Sequence, residues 1–208
     1  MYSLKYKYLF IRIPKTGSTT LRRWLYDIGG LYELETNDAH PHCSAQGYYE
    51  RLGKDVFDRC FRFAIVRNPY ERFVSEYWWR KNHWLLQFNE QEKCEEACLG
   101  INEVNVNDYA EPQCNLTHMD DRCQCTIYRY ESGLENAMVK ISKMIAANLD
   151  RLNINNNWQI IYSIQGRHNA DTREDRRPYY EQMSSSMIEA VTTRYFMDFE
   201  TFGYDIHR

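Results

Sequence analysis

The sequence predicts an α/β fold, a central parallel sheet flanked by helices in three layers. Three observations carry that expectation. Short apolar runs at residues 8–13 and Phe61–Val66 have the density of buried strands. Each runs through a short turn straight into a segment with helical periodicity. A third strand-then-helix pair follows from Thr126 onward, and such alternation is the signature of parallel strands with crossover helices.

The elements follow in order. "YLFIRI" at 8–13 is a strand, and after the turn "PKTGSTT" the apolar residues Leu21, Trp24, Leu25 and Ile28 recur at helical spacing until Gly29-Gly30 stops them. Residues 31–53 read as loop and a short helix. "FRFAIV" is the second strand, and Pro69 suits the first turn of a helix whose Tyr70, Phe73, Val74 and Tyr77 share one face. Residues 82–125 hold Cys94, Cys98, Cys114, Cys123 and Cys125 with little periodicity. They are expected to be a Cys-rich insertion near the acceptor side of one domain spanning 1–208. "TIYRY" is the third strand, and 134–148 form an amphipathic helix through Leu134, Ala137, Met138, Ile141 and Ile145. "WQIIYSI" reads as a further strand or a helix end. A polar stretch then leads to a C-terminal helix with Met187, Ile188, Val191 and Tyr195 on one side.

Composition bounds the function. The chain has 208 residues, 43% hydrophobic and 26% charged, with a formal net charge of −3. No global basic field of the kind nucleic-acid binders carry exists, so any anion site must be local. No window approaches the ~18 consecutive apolar residues of a membrane span. The N-terminal "MYSLKYKYLF" lacks a signal-peptide pattern. The expected compartment is cytoplasmic, with the Golgi lumen or secretory route as the alternative if this is a catalytic portion of a longer protein.

The first turn explains its own composition. A strand-to-helix turn presents unpaired N–H groups and the positive end of a helix dipole. Gly17 permits close backbone approach, Thr16, Ser18, Thr19 and Thr20 add hydroxyls, and Lys15 adds a charge. The alternative is a capped helix with an incidental lysine. The layout is P-loop-like without being the nucleoside-triphosphate loop, which places its lysine after the second of two glycines. Here Lys15 precedes the one glycine and Pro14 stiffens the approach, so the loop suits one phosphate-like centre. The second turn offers Arg67 at the strand end and Ser75 eight positions on, able to converge on another phosphate.

"IRIPKTGSTTL" and "FRFAIVRNPYERFVSEY" closely resemble the two cofactor signatures of the sulfotransferases that use 3′-phosphoadenosine-5′-phosphosulfate, and most of all those of the carbohydrate branch with its heparan and chondroitin sulfotransferases and shorter bacterial and viral relatives. The likeness extends to "HCSAQGYYERLGKDVFDRCFRFAIVRNP", to "TIYRYESGLENAMVKISKMI" and to "HNADTREDRRPYY" with "DFETFGYDI", leaving 82–125 uncovered. The resemblance implies that Lys15, Thr16, Gly17, Ser18, Thr19 and Thr20 cradle the 5′-phosphosulfate and that Arg67 and Ser75 take the 3′-phosphate. Arg173, beside His168, Asn169 and Thr172 in a loop that closes over the nucleotide in the family, is expected to reach a phosphate. Its alternative is a solvated charge run.

Sulfuryl transfer from such a donor requires no metal in principle. Lys15 is the expected stabiliser of the leaving phosphate. His42, in "HPHCSA" where some relatives carry a histidine base, is the expected acceptor base, with His40 its competitor and a surface or capping histidine the plain alternative. The acceptor is a hydroxyl, or an amine, of a carbohydrate or small molecule. Glu131 is expected to pair with a core arginine, and Trp78, Trp79 and Trp84 to line an acceptor cleft or to pack inside. The clustered cysteines, with His118 nearby, match zinc spacings poorly and fit one or two disulfides better. "NLT" at Asn115 is a formal glycosylation sequon. A small-molecule kinase and a non-catalytic nucleotide-binding module are the rival functions.

Overall fold

The protein is described by a computed structural model covering residues 1–29, 42–84, 111–155, 158 and 177–207. These fall into two compact units, Met1–Val66 with Asn115–His168, and Arg67–Cys114 with Asn169–Arg208.

The first unit is built on a four-stranded sheet of order β1-β2-β3-β6. Its strands are β1 (Tyr2–Ser3), β2 (Tyr8–Ile11), β3 (Phe61–Val66) and β6 (Thr126–Arg129). β2 pairs parallel with β3, Tyr8 opposite Phe61 through Ile11 opposite Ala64. β3 pairs parallel with β6, Phe63 opposite Thr126 through Val66 opposite Arg129, and only the short β1 runs antiparallel. The fold is therefore α/β with a mostly parallel central sheet, as expected.

The β2 and β3 sequences are apolar at successive positions because both faces of these strands are buried. On one face Tyr8, Phe10, Phe61, Phe63 and Ile65 pack against Leu21, Trp24 and Leu25 of α1 (Ser18–Gly29) and against Ala137, Met138, Ile141, Ile145 and Leu149 of the long helix Leu134–Arg151. The Phe10 and Phe63 rings stack at 5.1 Å. Leu9, Ile11, Ala64 and Val66 point the other way and are equally inaccessible. Asn148 ties the long helix to the amino ends of the strands, its Nδ2 donating to the carbonyls of Lys7 at 3.0 Å and Arg59 at 3.1 Å. Between β2 and β3 stand α2 (Ala45–Leu52), capped by the Ser44 hydroxyl, and α3 (Lys54–Arg59).

β2 stops at Ile11 rather than running to Ile13. The reason lies in the carbonyls: that of Arg12 accepts from His42 and that of Ile13 from the Thr16 hydroxyl, so side chains take the bonds a ladder would have used. Of the expected insertion, residues 85–110 lie outside the described residues. The remainder is a short helix, α5 (Gln113–Thr117), and a hairpin of β4 (His118–Met119) with β5 (Arg122–Cys123). In the chain α4 comes before α5, and the Leu134–Arg151 helix is α6. "WQIIYSI" lies outside the described residues except for Trp158, whose indole donates to Ser142 O at 3.1 Å.

In the second unit α4 (Pro69–Trp84) packs with α7 (Tyr179–Gln182), α8 (Ser185–Arg194) and α9 (Phe196–Phe202). Tyr70, Phe73 and Val74 meet Tyr179, Val191, Tyr195 and Phe199, with Tyr77, Met187 and Ile188 flanking, so the faces read from the sequence are the buried ones. Tyr70 stacks on Tyr179 at 4.7 Å and its hydroxyl bonds Thr192 Oγ1 at 2.7 Å. Asn68 caps α4, accepting from Tyr70 N at 2.9 Å, and Pro69 occupies the position where a missing N–H costs nothing.

Candidate anion-binding and catalytic site

β2, β3 and β6 are parallel, so their carboxyl ends share one edge of the sheet, and ligands of α/β folds bind at that edge. The Pro14–Gly17 turn leaves β2 there. Lys15 has φ +64° and Gly17 φ +78°, two left-handed residues on either side of a fully buried Thr16. Such backbone turns successive N–H groups inward and forms the concavities that hold anions. A left-handed lysine is costly, on the order of 1–3 kcal/mol, and strain of this kind gathers at functional sites.

The turn is held from below. The Thr16 hydroxyl donates to Ile13 O at 2.9 Å, and Leu21 N donates to Gly17 O at 3.1 Å, opening α1 directly after the glycine. The N–H groups of Ser18, Thr19 and Thr20 form the first turn and have no carbonyl within their own helix to bond. Ser18 is buried, whereas Lys15, Thr19 and Thr20 are half-buried. A side chain at Gly17 would start 2.7 Å from Leu134 Cδ1 and 3.1 Å from Tyr130 Cε2. The glycine is thus fixed by its backbone angle and by the buttress that the β6–α6 junction builds against it.

His42 comes to this turn from the far side of the chain segment 30–41. It is buried, and its Nδ1 lies 2.9 Å from the carbonyl of Arg12. A carbonyl accepts, so Nδ1 carries a proton; in the neutral ring the lone pair then sits on Nε2, the tautomer a general base requires. His40 lies outside the described residues.

The second turn belongs to the other unit. Arg67 is 8% exposed, and its main chain is clamped by one side chain: Arg67 N donates to Gln113 Oε1 at 2.9 Å while Gln113 Nε2 donates to Arg67 O at 2.8 Å. Its guanidinium reaches Glu71 Oε2, a half-buried carboxylate, at 3.4 Å. Glu71 and Ser75 are four apart and share one face of α4, so a guanidinium that reaches Glu71 lies along the stripe that carries the half-buried Ser75. The same contact sets a carboxylate in competition with any anion at Arg67.

Gln113 is itself held. Asp198, fully buried on α9, accepts from Gln113 N at 2.9 Å, Cys114 N at 2.8 Å and Gln113 Nε2 at 3.3 Å. The Arg72 guanidinium stands 4.0 Å from Asp198 and over the Tyr195 ring. Burial pushes the Tyr195 phenol up to about 12. Sequence inspection missed Gln113 and Asp198. Gln113 sits in an aperiodic stretch with no signal; Asp198 left one, an acid directly beside Met197 and Phe199 on the helix whose Phe199 and Phe202 are buried.

Other expectations resolve individually. Arg173, His168, Asn169 and Thr172 lie outside the described residues, as do Cys94, Cys98 and the Trp84 side chain. Glu131 is exposed on the turn Tyr130–Ser132. Trp78 is pinned by its indole to Gln182 Oε1 at 2.8 Å and packs on the second unit's core, while Trp79 is half-buried. Cys43, Cys60, Cys114, Cys123 and Cys125 are all thiols. In the sequon Asn115 is exposed but Thr117 is fully buried, its hydroxyl bonded to His118 Nδ1 at 2.9 Å. Among the described residues no cluster of three or more His, Cys, Asp or Glu is placed to hold a metal ion, and no helix is long and apolar enough to cross a membrane.

Comparison with known proteins gives this geometry a family. Carbohydrate sulfotransferase 10 of Xenopus laevis is 32% identical over 87 residues, a match covering 35% of this chain and 23% of that protein. The chain therefore aligns with about a quarter of that relative's length. No solved structure matches it. The model of the sulfotransferase family matches residues 1–205, through both turns and the loop histidine, and the chain belongs to that family.

Proposed function

We propose that the protein transfers a sulfuryl group from 3′-phosphoadenosine-5′-phosphosulfate to a hydroxyl, or an amine, of a carbohydrate or small-molecule acceptor. The observation that carries this function is the Pro14–Gly17 turn: two left-handed residues at the carboxyl edge of a parallel sheet, opening into α1 beside a histidine with a fixed tautomer. Family membership supports the same chemistry, and the relative's name supports a carbohydrate acceptor. The full three-layer, P-loop-like arrangement belongs to this proposal, as does assignment of residues 1–208 to one catalytic domain.

When bound, the donor supplies an activated sulfuryl group on a phosphate leaving group. The chain's part is electrostatic and positional. The N–H groups of the first turn and of Ser18, Thr19 and Thr20 hold the 5′ side, with Thr16 and Gly17 shaping the cradle. Lys15 places its ammonium where negative charge grows on the leaving oxygen. His42 Nε2 takes the acceptor proton. Arg67 and Ser75 hold the 3′-phosphate, with Glu71 displaced from the guanidinium as the stronger anion arrives, and Arg173 is proposed to close on a phosphate. None of these roles calls for a metal ligand.

The test is calorimetric titration with 3′-phosphoadenosine 5′-phosphate against ADP, followed by transfer of labelled sulfate to a carbohydrate panel. The wild type is expected to prefer the 3′-phosphorylated nucleotide at least tenfold. Arg67→Ala should erase that preference, and Lys15→Ala should lower turnover about 10²–10³-fold while nucleotide still binds. Equal affinity for both nucleotides in the wild type would overturn the donor and return the kinase to consideration. Binding without transfer to any acceptor would favour the non-catalytic module.

A further inference from the structure

We propose that Cys123 and Cys125 form a thiol–disulfide exchange site for small disulfides, with Cys123 as the attacking thiol and Cys125 as the resolving thiol. Nothing in the sulfuryl-transfer chemistry uses this pair, and the proposal stands without it.

The geometry begins with Gln124, between the two cysteines. Its N–H donates to Thr117 O at 2.9 Å and its carbonyl accepts from Arg62 Nε at 2.7 Å. Its side-chain Nε2 donates to Arg122 O at 3.0 Å and Met119 O at 3.4 Å. Four hydrogen bonds thus fix the residue linking the two cysteines, so their separation does not depend on a mobile loop. The Cys123 thiol donates to the Cys125 carbonyl at 3.2 Å, which sets its sulfur beside the residue that carries the second thiol.

The pair is asymmetric in the way exchange requires. Cys123 is exposed and Cys125 half-buried, so an outside disulfide meets Cys123 first and Cys125 is kept for the second step. Cys60 and Cys114 are buried, and Cys43 is half-buried with its thiol donating to Ser44 O, which leaves Cys123 the accessible thiol among the described cysteines. His118 faces Cys123 across the β4–β5 pair, and Arg62 reaches in from β3. Arg122 precedes it, with Asp120 and Asp121 in the hairpin turn as the opposing charges. The hydrogen bonds from Cys125 hold the Cys123 thiol down to about 6, while the same bond and burial push Cys125 up. The thiolate is the nucleophile, so Cys123 attacks once it gives up the proton it shares with the Cys125 carbonyl, and Cys125 keeps its own proton for the second step.

The steps balance. The Cys123 thiolate attacks one sulfur of a small disulfide, a new S–S bond forms, the old one breaks, and one thiolate leaves and takes a proton from water. Cys125 then gives its proton to water and its sulfur attacks Cys123, expelling the second small thiolate. Two protein thiols are oxidised and one small disulfide is reduced to two thiols. A ring closed over one intervening residue is tight, so the product bond exchanges readily instead of acting as a staple.

The experiment is alkylation of the full chain with iodoacetamide across pH, read site by site by mass spectrometry, with and without oxidised glutathione. Cys123 should label first, with a half-maximal rate near pH 6, and Cys125→Ser should move that midpoint towards an ordinary thiol at about 8.5. Oxidised glutathione should drive the wild type to a Cys123–Cys125 disulfide, a loss of two hydrogens, and should leave Cys125→Ser stalled as the Cys123 mixed disulfide. Cys125→Ser keeps Gln124 and its anchors, and its circular dichroism should match the wild type. Labelling of Cys123 no faster than Cys43, or a Cys125→Ser chain that fails to trap the mixed disulfide, overturns the proposal.

Discussion

Lys15 sits in a backbone conformation that its side chain disfavours, and the neighbours show why it stays there. Gly17 cannot carry a Cβ without meeting Leu134, Thr16 is buried with its hydroxyl on Ile13, and Pro14 limits the approach. The turn is over-determined, so under the proposed function the lysine's backbone would need no rearrangement as charge develops, which is what gives a fixed donor its catalytic worth. His42 is fixed in the same spirit by one bond to Arg12 O. His42→Gln keeps a donor for that carbonyl and removes the proposed base. It is expected to cut turnover about 10²–10⁴-fold with nucleotide affinity unchanged, measured as kcat beside calorimetric Kd. Wild-type turnover in that variant across pH would move the base elsewhere, His40 first.

At the scale of elements, α4 is aimed by its first residues and by a partner far away in sequence. Asn68 caps it, Pro69 opens it, and Gln113 locks the peptide of Arg67 in the manner of a β-ladder rung. Asp198 in turn locks Gln113 and the start of α5. Removing the amide leaves a buried N–H and C=O at Arg67 without their bonds, at a cost of about 1–3 kcal/mol. Gln113→Ala should therefore lower stability by that amount in urea. If Gln113 positions Arg67, it should also reduce the preference for 3′-phosphoadenosine 5′-phosphate over AMP about tenfold. A purely structural residue would lower both affinities together and leave the ratio untouched. Asp198 carries more weight, because it accepts three hydrogen bonds in the interior and faces the Arg72 guanidinium at 4.0 Å; Asp198→Ala should cost about 3–5 kcal/mol by the same measurement.

For the molecule as a whole, stability has a pH limit written into the first unit. Cys60 closes α3 ahead of β3, is 5% exposed, and burial raises its thiol from 9.0 to about 11. Below pH 9 the folded and unfolded chains both hold the proton, and nothing is lost. Between pH 9 and 11 the unfolded chain releases it while the folded chain does not, so unfolding becomes easier by about 1.4 kcal/mol per pH unit. Denaturant midpoints should fall across that window in the wild type and fall less in Cys60→Ala; equal slopes would remove the thiol from the account.

The chain by itself determined β2, β3 and β6, its helix faces and the residue types of its two turns. Those are local matters: a buried parallel strand must be apolar at successive positions, a packed helix must repeat its apolar residues every three or four, and an anion turn must carry glycine, hydroxyls and a cation in close order. Where β2 ends, which nitrogen of His42 holds the proton, what props Gly17 and what clamps Arg67 were decided by tertiary structure alone. Each depends at least in part on a partner 30 to 117 positions away, Arg12 with His42, Gly17 with Leu134, Arg67 with Gln113, and contacts of that reach leave no periodicity for a sequence to show.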